Sequence, residues 1–460
     1  MTKSRTETDS LGPMQVPADA LYGAQTARAM ENFPVSGWRL PRPMIEALGR
    51  IKAEAARVNA DLGLLPAPLA EAIAAAAQDV AEGKHDNQFP VDIFQTGSGT
   101  SSNMNANEVI AHLANARLQG QSDLRVHPND HVNLGQSSND VFPTAIHLAA
   151  LTQIDALLLP VLDRFTVSLK EKEGRFDGIV KLGRTHLQDA VPIRLGQVFS
   201  GYRAQVEQAR ERLVRAREEL LELPLGGTAV GTGLNAHPEF ARRVIVRLAR
   251  TTGINLREAD NHFAAQAARD GAVAVSGALK AAAVALFKIA NDIRFLASGP
   301  RGGYGELNLP AVQPGSSIMP GKVNPVMAES LLQVCAQVIG FDAAISLGGL
   351  SGNFELNVMQ PMIAWNLLES IRLLAHGVSL FDKRCVRGLE ANKERCEELV
   401  ERSLAMVTAL APEIGYDRAA ELAKKAHAEG KTIREICLER QVLPEDKLNE
   451  LLDPRPQTGR

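Results

Sequence analysis

Cysteine is scarce in this chain: Cys335, Cys385, Cys396 and Cys437 are the four in 460 residues. No C-x-x-C and no Cys/His ligand spacing occurs, which removes the usual signatures of a zinc or iron–sulfur site. The scattered thiols fit the reduced cysteines of a cytoplasmic protein, the location expected here. Aromatic residues make up only 4% of the chain while alanine is abundant, a balance that favours helices packed closely through small side chains. Basic residues are not in excess. A formal net charge of −3 leaves no footprint for nucleic acid, so positive potential must be local, as suits a small anionic substrate. The N-terminus lacks a basic start followed by an apolar stretch, so no secretory signal is expected. No uninterrupted apolar run reads as long and bare enough to span a membrane, and no membrane partner is expected. Internal repeats and low-complexity linkers are missing too. The length leaves room for a large core and more than one domain.

What is present is concentrated in polar loops, above all Gly315-Ser316-Ser317-Ile318-Met319-Pro320-Gly321-Lys322-Val323-Asn324-Pro325. Pro320 and Pro325 lack an N–H and restrict the residue before them, so a continuous helix is ruled out there. The residues from Val326 to Ile345 are apolar and helix-prone. The segment therefore reads as a loop feeding a helix, able to offer backbone N–H groups, hydroxyls and an ammonium to an anion. A phosphate loop of the G-x-x-x-x-G-K-[ST] kind fits poorly. Five residues separate Gly315 from Gly321, Val323 stands where the metal-binding hydroxyl belongs, and Pro320 deletes a donor. An ordinary mobile surface loop accounts for the glycines and serines but not for Lys322 and Asn324 beside them.

Taken in order, residues 1 to about 45 read as an irregular docking arm with turn material at Asp9–Gly12 and Val16–Asp19. Apolar residues at three- and four-residue intervals predict helices over Pro43–Leu62 and Ala67–Glu82. In Gln95–Asn107 nearly every side chain carries a hydroxyl or an amide, and the run leads into a helix predicted over Glu108–Ala116. Hydroxyls at a helix start can bind carboxylate oxygens through side chain and backbone together. His127-Pro128-Asn129-Asp130 reads as an Asx/Pro turn. Ser137-Ser138-Asn139-Asp140 sits where a helix N-cap would, before an apolar pattern that runs to about Lys172 with a kink at Pro160; capping explains one of the four.

Arg184–Asp189 breaks the helical pattern before a helix predicted over Leu195–Leu223. His186 lies in that break between Thr185 and Gln188, and its ordinary pKa suits proton transfer near neutrality. Gly226–Asn235 is glycine-rich but lacks both G-x-G-x-x-G and a surrounding βαβ pattern, so no dinucleotide site is expected. The span Asn261–Ser298 predicts one helix of ~55 Å at 1.5 Å per residue. Its middle, Gly271–Leu286, carries Lys280 as its only charge, and a helix apolar all round must be buried all round. Several such long segments, with Gln360–Phe381, argue for a helical bundle whose faces are shared between subunits. Short helices follow over Lys393–Arg402, Asp417–Glu429 and Thr432–Arg440, and Asp453–Arg460 reads as frayed. The expected fold is mainly α, a long-helix bundle with smaller N-terminal (1–136) and C-terminal (391–460) domains flanking a central one (137–390).

The set of loops in this order resembles the fumarase/aspartase superfamily, and GSSIMPGKVNP with VPADALYGAQT resembles class II fumarases and aspartate ammonia-lyases most closely. Thr185-His186 is similar to the fumarases, where aspartases carry Gln after the Thr. The resemblance implies reversible hydration of fumarate to (S)-malate in a homotetramer whose sites draw on three chains. No metal and no cofactor is implied. It assigns Ser316 as the base that takes the C3 proton, His186 as the group that protonates the departing hydroxyl, and Glu329 as a partner for His186. Blind to family, Glu329 is a helix-start acid favouring the dipole. Contacts to the dicarboxylate are implied for Ser98, Gly99 and Thr100, for Ser137, Ser138 and Asn139, and for Thr185. Ser317, Lys322, Val323 and Asn324 complete that set. His127, Pro128, Asn129 and Asp130 match a second, non-catalytic anion site, and Gly226–Asn235 a tight buried loop near the site. Aspartate ammonia-lyase activity is the alternative within the superfamily, and a catalytically silent scaffold on the same fold is the alternative outside it.

Overall fold

The structure, a computed structural model, describes residues 3–120 and 124–459 and is mainly helical. The chain forms two compact units: Met1–Pro160 with Glu211–Ala283 and Ala336–Ala375, and Val161–Arg210 with Val284–Cys335 and His376–Arg460.

The N-terminal arm is not irregular. Strands β1 (Ser4–Asp9) and β2 (Gly12–Pro17) pair antiparallel in full register, followed by α1 (Ala24–Asn32). Asp9–Gly12 is the turn expected from sequence; the strands beside it escaped notice because they are mostly polar, with one face only half-buried. Helices α2 (Arg42–Asp61) and α3 (Ala67–Ala81) stand where periodicity placed them. Helix α4 (Thr100–Leu118) starts eight residues earlier than predicted. Its first turns hold Asn103, Asn105 and Asn107, poor helix formers whose buried amides each find a partner: Ser138 Oγ at 3.0 Å, the Gln88 carbonyl at 2.9 Å and Asn133 Oδ1 at 3.2 Å. Tertiary hydrogen bonding overrides propensity there.

Helix α5 (Ser138–Gln153) leads through a widened turn at Ile154–Leu158 into α6 (Leu159–Phe176). The irregularity expected at Pro160 thus lies just before it, where proline has no N–H for the preceding turn. Strands β3 (Val180–Thr185) and β4 (Gln188–Arg194) form a hairpin that precedes α7 (Leu195–Arg217). Helix α8 (Phe240–Thr252) ends on Gly253. The single helix expected over Asn261–Ser298 is two: α9 (His262–Ala267), capped by Asn261, and α10 (Asp270–Leu296), with extended backbone at Ala268 between them. The 27 residues of α10 span about 40 Å.

In the single chain, Val284, Phe287 and Phe295 of α10 are exposed. Helices α11 (Val326–Gly349) and α12 (Gln360–Phe381) follow. The expectation that no apolar run is long and bare enough to span a membrane fails by composition. Among the described residues, three helical stretches, Ser138–Phe176, Asp270–Leu296 and Val326–Gly349, are long and apolar enough to cross one. A lone charge such as Lys280 interrupts a run to the eye without removing the span. What those few charges do is pair between helices: Asp342 on α11 accepts from Ser276 Oγ at 2.8 Å and Lys280 Nζ at 2.6 Å on α10.

The C-terminal segment holds α13 (Lys393–Arg402), α14 (Ala411–Ile414), α15 (Tyr416–Glu429), α16 (Ile433–Glu439) and α17 (Glu445–Leu451). Its core of Val400, Met406, Leu410, Leu422, Ile433 and Ile436 also takes in Val180 and Leu182 from β3. The last residues are docked, not frayed: the Thr458 carbonyl accepts from Gln197 Nε2 at 2.8 Å. Arg460 lies outside the described residues.

Candidate active site

In the first unit, two of the polar segments are sewn together. Gly99 opens α4 at φ 76°, and a Cβ on it would stand 2.3 Å from the Phe142 ring, so the backbone conformation and the close approach both require glycine. On either side of it, Ser98 Oγ and Thr100 Oγ1 share a 2.9 Å hydrogen bond. Gln95 fastens the segment by donating to the Asp92 carbonyl at 2.7 Å and accepting the Ser102 N–H at 3.0 Å. Thr96, Thr100 and Ser101 line a cavity of about 430 Å³.

Ser137 caps α5: its Oγ accepts the Asn139 N–H at 3.2 Å, and the Asp140 carboxylate accepts the Ser137 N–H at 2.9 Å. Capping thus occupies two of the four residues, not one. Asn139 donates to the Ala229 carbonyl at 2.8 Å, while Ser138 Oγ receives the Asn103 amide. Of the glycine-rich run, Gly227 and Thr228 are buried, but Ala229, Val230, Thr232, Leu234 and Asn235 are exposed, so the tight buried loop is realised only at its start.

Sequence reasoning passed over the groups beneath this surface. Asp140 also accepts the N–H groups of Gly226 at 2.9 Å and Thr228 at 3.0 Å. Lys52, fully buried on α2, donates to Asn133 Oδ1 at 2.8 Å, and the same oxygen receives the amides of Asn103 and Asn107. Burial pushes the Asp140 carboxyl up to about 6 against three backbone N–H groups and Lys52, and pushes the Lys52 ammonium down to about 7 against Asp140. The signals were there: Ser137-x-x-Asp140 is a capping-box spacing, and Lys52 falls four residues after Leu48 on the apolar face of its helix.

The His127–Asp130 segment is a single wide helical turn, Pro128–Val132, with His127 as its cap. His127 Nδ1 accepts the Asp130 N–H at 3.2 Å, and Asn129 Nδ2 lies 3.7 Å from Met104 Sδ. With Arg5 and His112, which sequence reasoning missed, His127, Pro128 and Asn129 line a cavity of about 660 Å³.

In the second unit, Thr185 ends β3, and His186 and Leu187 make the two-residue turn at φ 56° and 60°. Positive φ at both positions gives the mirror-image turn whose twist suits a hairpin, but its favoured residues are Asn and Gly. His186 is exposed at the tip. Loop 315–325 is closed on itself: the Gly315 N–H donates to the Lys322 carbonyl at 2.8 Å, and Asn324 Nδ2 donates to the Gly315 carbonyl at 2.5 Å. Inside that closure Ser316 Oγ accepts two backbone N–H groups, from Ile318 at 3.2 Å and Met319 at 2.9 Å. Ser317, Lys322 and Val323 are exposed, and Lys322, Val323 and Asn324 line a cavity of about 590 Å³ with Arg294. Glu329 sits in the first turn of α11. Among the described residues no hydrogen bond or ion pair joins His186 to Glu329 or to Ser316. No group of three or more metal-ligating side chains among them is placed to hold a metal ion.

The arrangement offers hydroxyls and amides to carboxylate oxygens, an ammonium and aligned N–H groups to a developing negative charge, and an imidazole to a proton. The profile of the Lyase family matches residues 12–340, and that of the Fumarase C C-terminus matches residues 406–458. A class II fumarate hydratase of Ralstonia nicotianae is 54% identical over 459 residues, covering 99% of this chain and 100% of that protein. The chain belongs to the class II fumarase family. Another class II fumarate hydratase, from Halobacterium salinarum, is 56% identical over 458 residues, covering 99% of this chain and 97% of its own. The crystal structure of a class II fumarase from Schistosoma mansoni superposes with a TM-score of 0.96 at 42% identity, covering 99% of both chains. The class II fumarase fold is therefore shared from end to end, and both polar regions lie on it.

Proposed function

We propose that this chain catalyses the reversible hydration of fumarate to (S)-malate in the cytoplasm. The observation that carries the reading is the closed loop 315–325, in which Ser316 Oγ accepts two backbone N–H groups, in a chain that is a class II fumarase from end to end. Dehydration of malate begins with loss of a very weakly acidic proton from C3. Ser316 takes that proton as an alkoxide, held by the N–H groups of Ile318 and Met319. Negative charge then spreads onto the neighbouring carboxylate as an aci-form, where Lys322 and Asn324 meet it. One such preorganised donor is worth about 3–4 kcal/mol at the transition state. His186 protonates the departing hydroxyl, which leaves as water while fumarate remains; Ser316 then gives up the C3 proton to solvent and His186 takes one back, so the net loss is one water. Glu329 orients His186. Ser98, Gly99, Thr100, Ser137, Ser138, Asn139, Thr185, Ser317 and Val323 hold the substrate carboxylates. His127, Pro128, Asn129 and Asp130 form a second anion site beside the 660 Å³ cavity.

The chain works as a homotetramer in which each site draws on more than one copy. What supports this is the exposure of Ser317 and Lys322, of His186, and of apolar residues on the long helices such as Val284 and Leu347. The division into segments 1–136, 137–390 and 391–460 belongs to the same reading, the last supported by the separate family match over residues 406–458.

Initial rates on malate and on aspartate, measured in one preparation with a chelator present, test the activity. Fumarate should form from malate, with ammonia release from aspartate at background. Faster turnover of aspartate overturns the reading, as does activity that disappears on chelation and returns with one metal.

A further inference from the structure

Glu306 is a fully buried carboxylate that the chemistry above does not use. It lies between α10 and loop 315–325, and its backbone is fixed at both ends. Its N–H donates to the Leu296 carbonyl at 2.8 Å, and its own carbonyl accepts the Asn392 N–H at 2.9 Å. Two cations from one strand converge on its Oε2: Arg184 Nη1 at 2.8 Å and Lys181 Nζ at 3.4 Å. Its other oxygen, Oε1, is buried with no hydrogen-bond partner among the described residues. Lys181 is buried as well, and the Arg184 guanidinium lies 4.2 Å over the Tyr304 ring.

Residues three apart on a flat strand point to opposite faces, so Lys181 and Arg184 should not reach the same carboxylate. The hairpin register slips between Leu182 and Arg184, at Gly183, where an added Cβ would stand 2.4 Å from the Val191 carbonyl. Such irregularities sharpen the local twist, and here both cations end on one side. Arg184 directly precedes Thr185 and His186, and the turn they lead into holds two non-glycine residues at positive φ. A conformation of that kind persists only where its surroundings over-determine it, and it collects at functional sites. The β3 end of the hairpin is set in the C-terminal core through Val180 and Leu182. Arg184 joins its outer half to the ion cluster.

We propose that Glu306 is a positioning residue which, with Lys181 and Arg184, anchors the hairpin so that the Thr185–His186 turn is held in its working orientation. It acts through the hairpin without touching substrate. The inference rests on the reading of His186 as the group that handles the hydroxyl's proton. Burial favours loss of the Lys181 proton while Glu306 opposes it, so the cluster is held together by the carboxylate.

Glu306→Gln keeps the shape and removes the charge. In the intact oligomer it should lower kcat about 10- to 100-fold with a smaller change in KM, the cost of a catalytic group displaced by a fraction of an ångström to an ångström. Glu306→Asp, which retains the charge, should recover part of kcat. Amide hydrogen exchange over 184–188 should quicken in Glu306→Gln. Should that variant not fold, Lys181→Met combined with Glu306→Gln removes the carboxylate with one cation, and the same kcat loss and exchange are expected. Wild-type kcat in folded Glu306→Gln would overturn the proposal, and so would a loss that merely follows the amount of folded protein. The two readings fail separately. A wild-type chain without malate turnover contradicts the hydratase, whereas unchanged exchange in the hairpin of Glu306→Gln contradicts the anchor.

Discussion

Ser316→Ala is expected to lower malate turnover about a thousandfold, within the range a positioned general base contributes, while leaving fold and assembly intact. A free serine hydroxyl is a feeble base, so the assignment stands on what surrounds the oxygen. Two N–H groups converge on it inside a loop that the Gly315–Lys322 and Asn324–Gly315 hydrogen bonds hold closed. Those donors stabilise the alkoxide more than the hydroxyl, which makes the deprotonated form accessible enough to act. Removing the oxygen frees two N–H groups in a loop open to water, where they can be solvated. The cost in stability should therefore stay within about 0.5 kcal/mol. The loss should fall on kcat, with KM changed far less. Near-normal turnover in Ser316→Ala would remove it as the base.

His186→Asn should cost less, about a hundredfold, because water can replace an acid in part. Asparagine is the informative substitution here. The residue sits at φ 56°, and Asn is among the few side chains that adopt this left-handed region readily. The hairpin turn should hold in the variant, so lost turnover reports lost proton transfer and not a collapsed turn. Steady-state rates with an unchanged melting transition check this. Rates within a few-fold of wild type would contradict the role given to the imidazole.

Much of the fold is legible where periodicity is unopposed. Gln360–Phe381 and Lys393–Arg402 are the helices expected there, because their apolar spacing and flanking breakers agree. Legibility fails where tertiary contacts decide. The start of α4 looks like a loop because its Asn and Ser residues favour caps and turns, yet buried partners such as Ser138 and Asn133 recruit them into the helix. The hairpin at Val180–Arg194 registers in sequence only as a break between helices, since Pro192 and Gly183 hide its strand character. The polar loops could be picked out because hydroxyls, amides and a lysine crowd into short stretches. Lys52, Asp140 and Glu306 could not. Each is one charge among apolar or turn residues, and its importance comes from being buried beside partners far away in sequence.

The central claim is that one working site draws Ser316 and His186 from different copies of the chain. Inactive Ser316→Ala and His186→Asn proteins should be dissociated together, reassembled in equal amounts and assayed for malate dehydration. Random assembly gives an intact pair in about a quarter of sites, because each of the two required chains has an even chance of carrying the right residue. Recovery of about a quarter of wild-type activity is the predicted result. If both residues belonged to one chain, every site would keep one lesion, and no recovery in verified mixed oligomers would contradict the account.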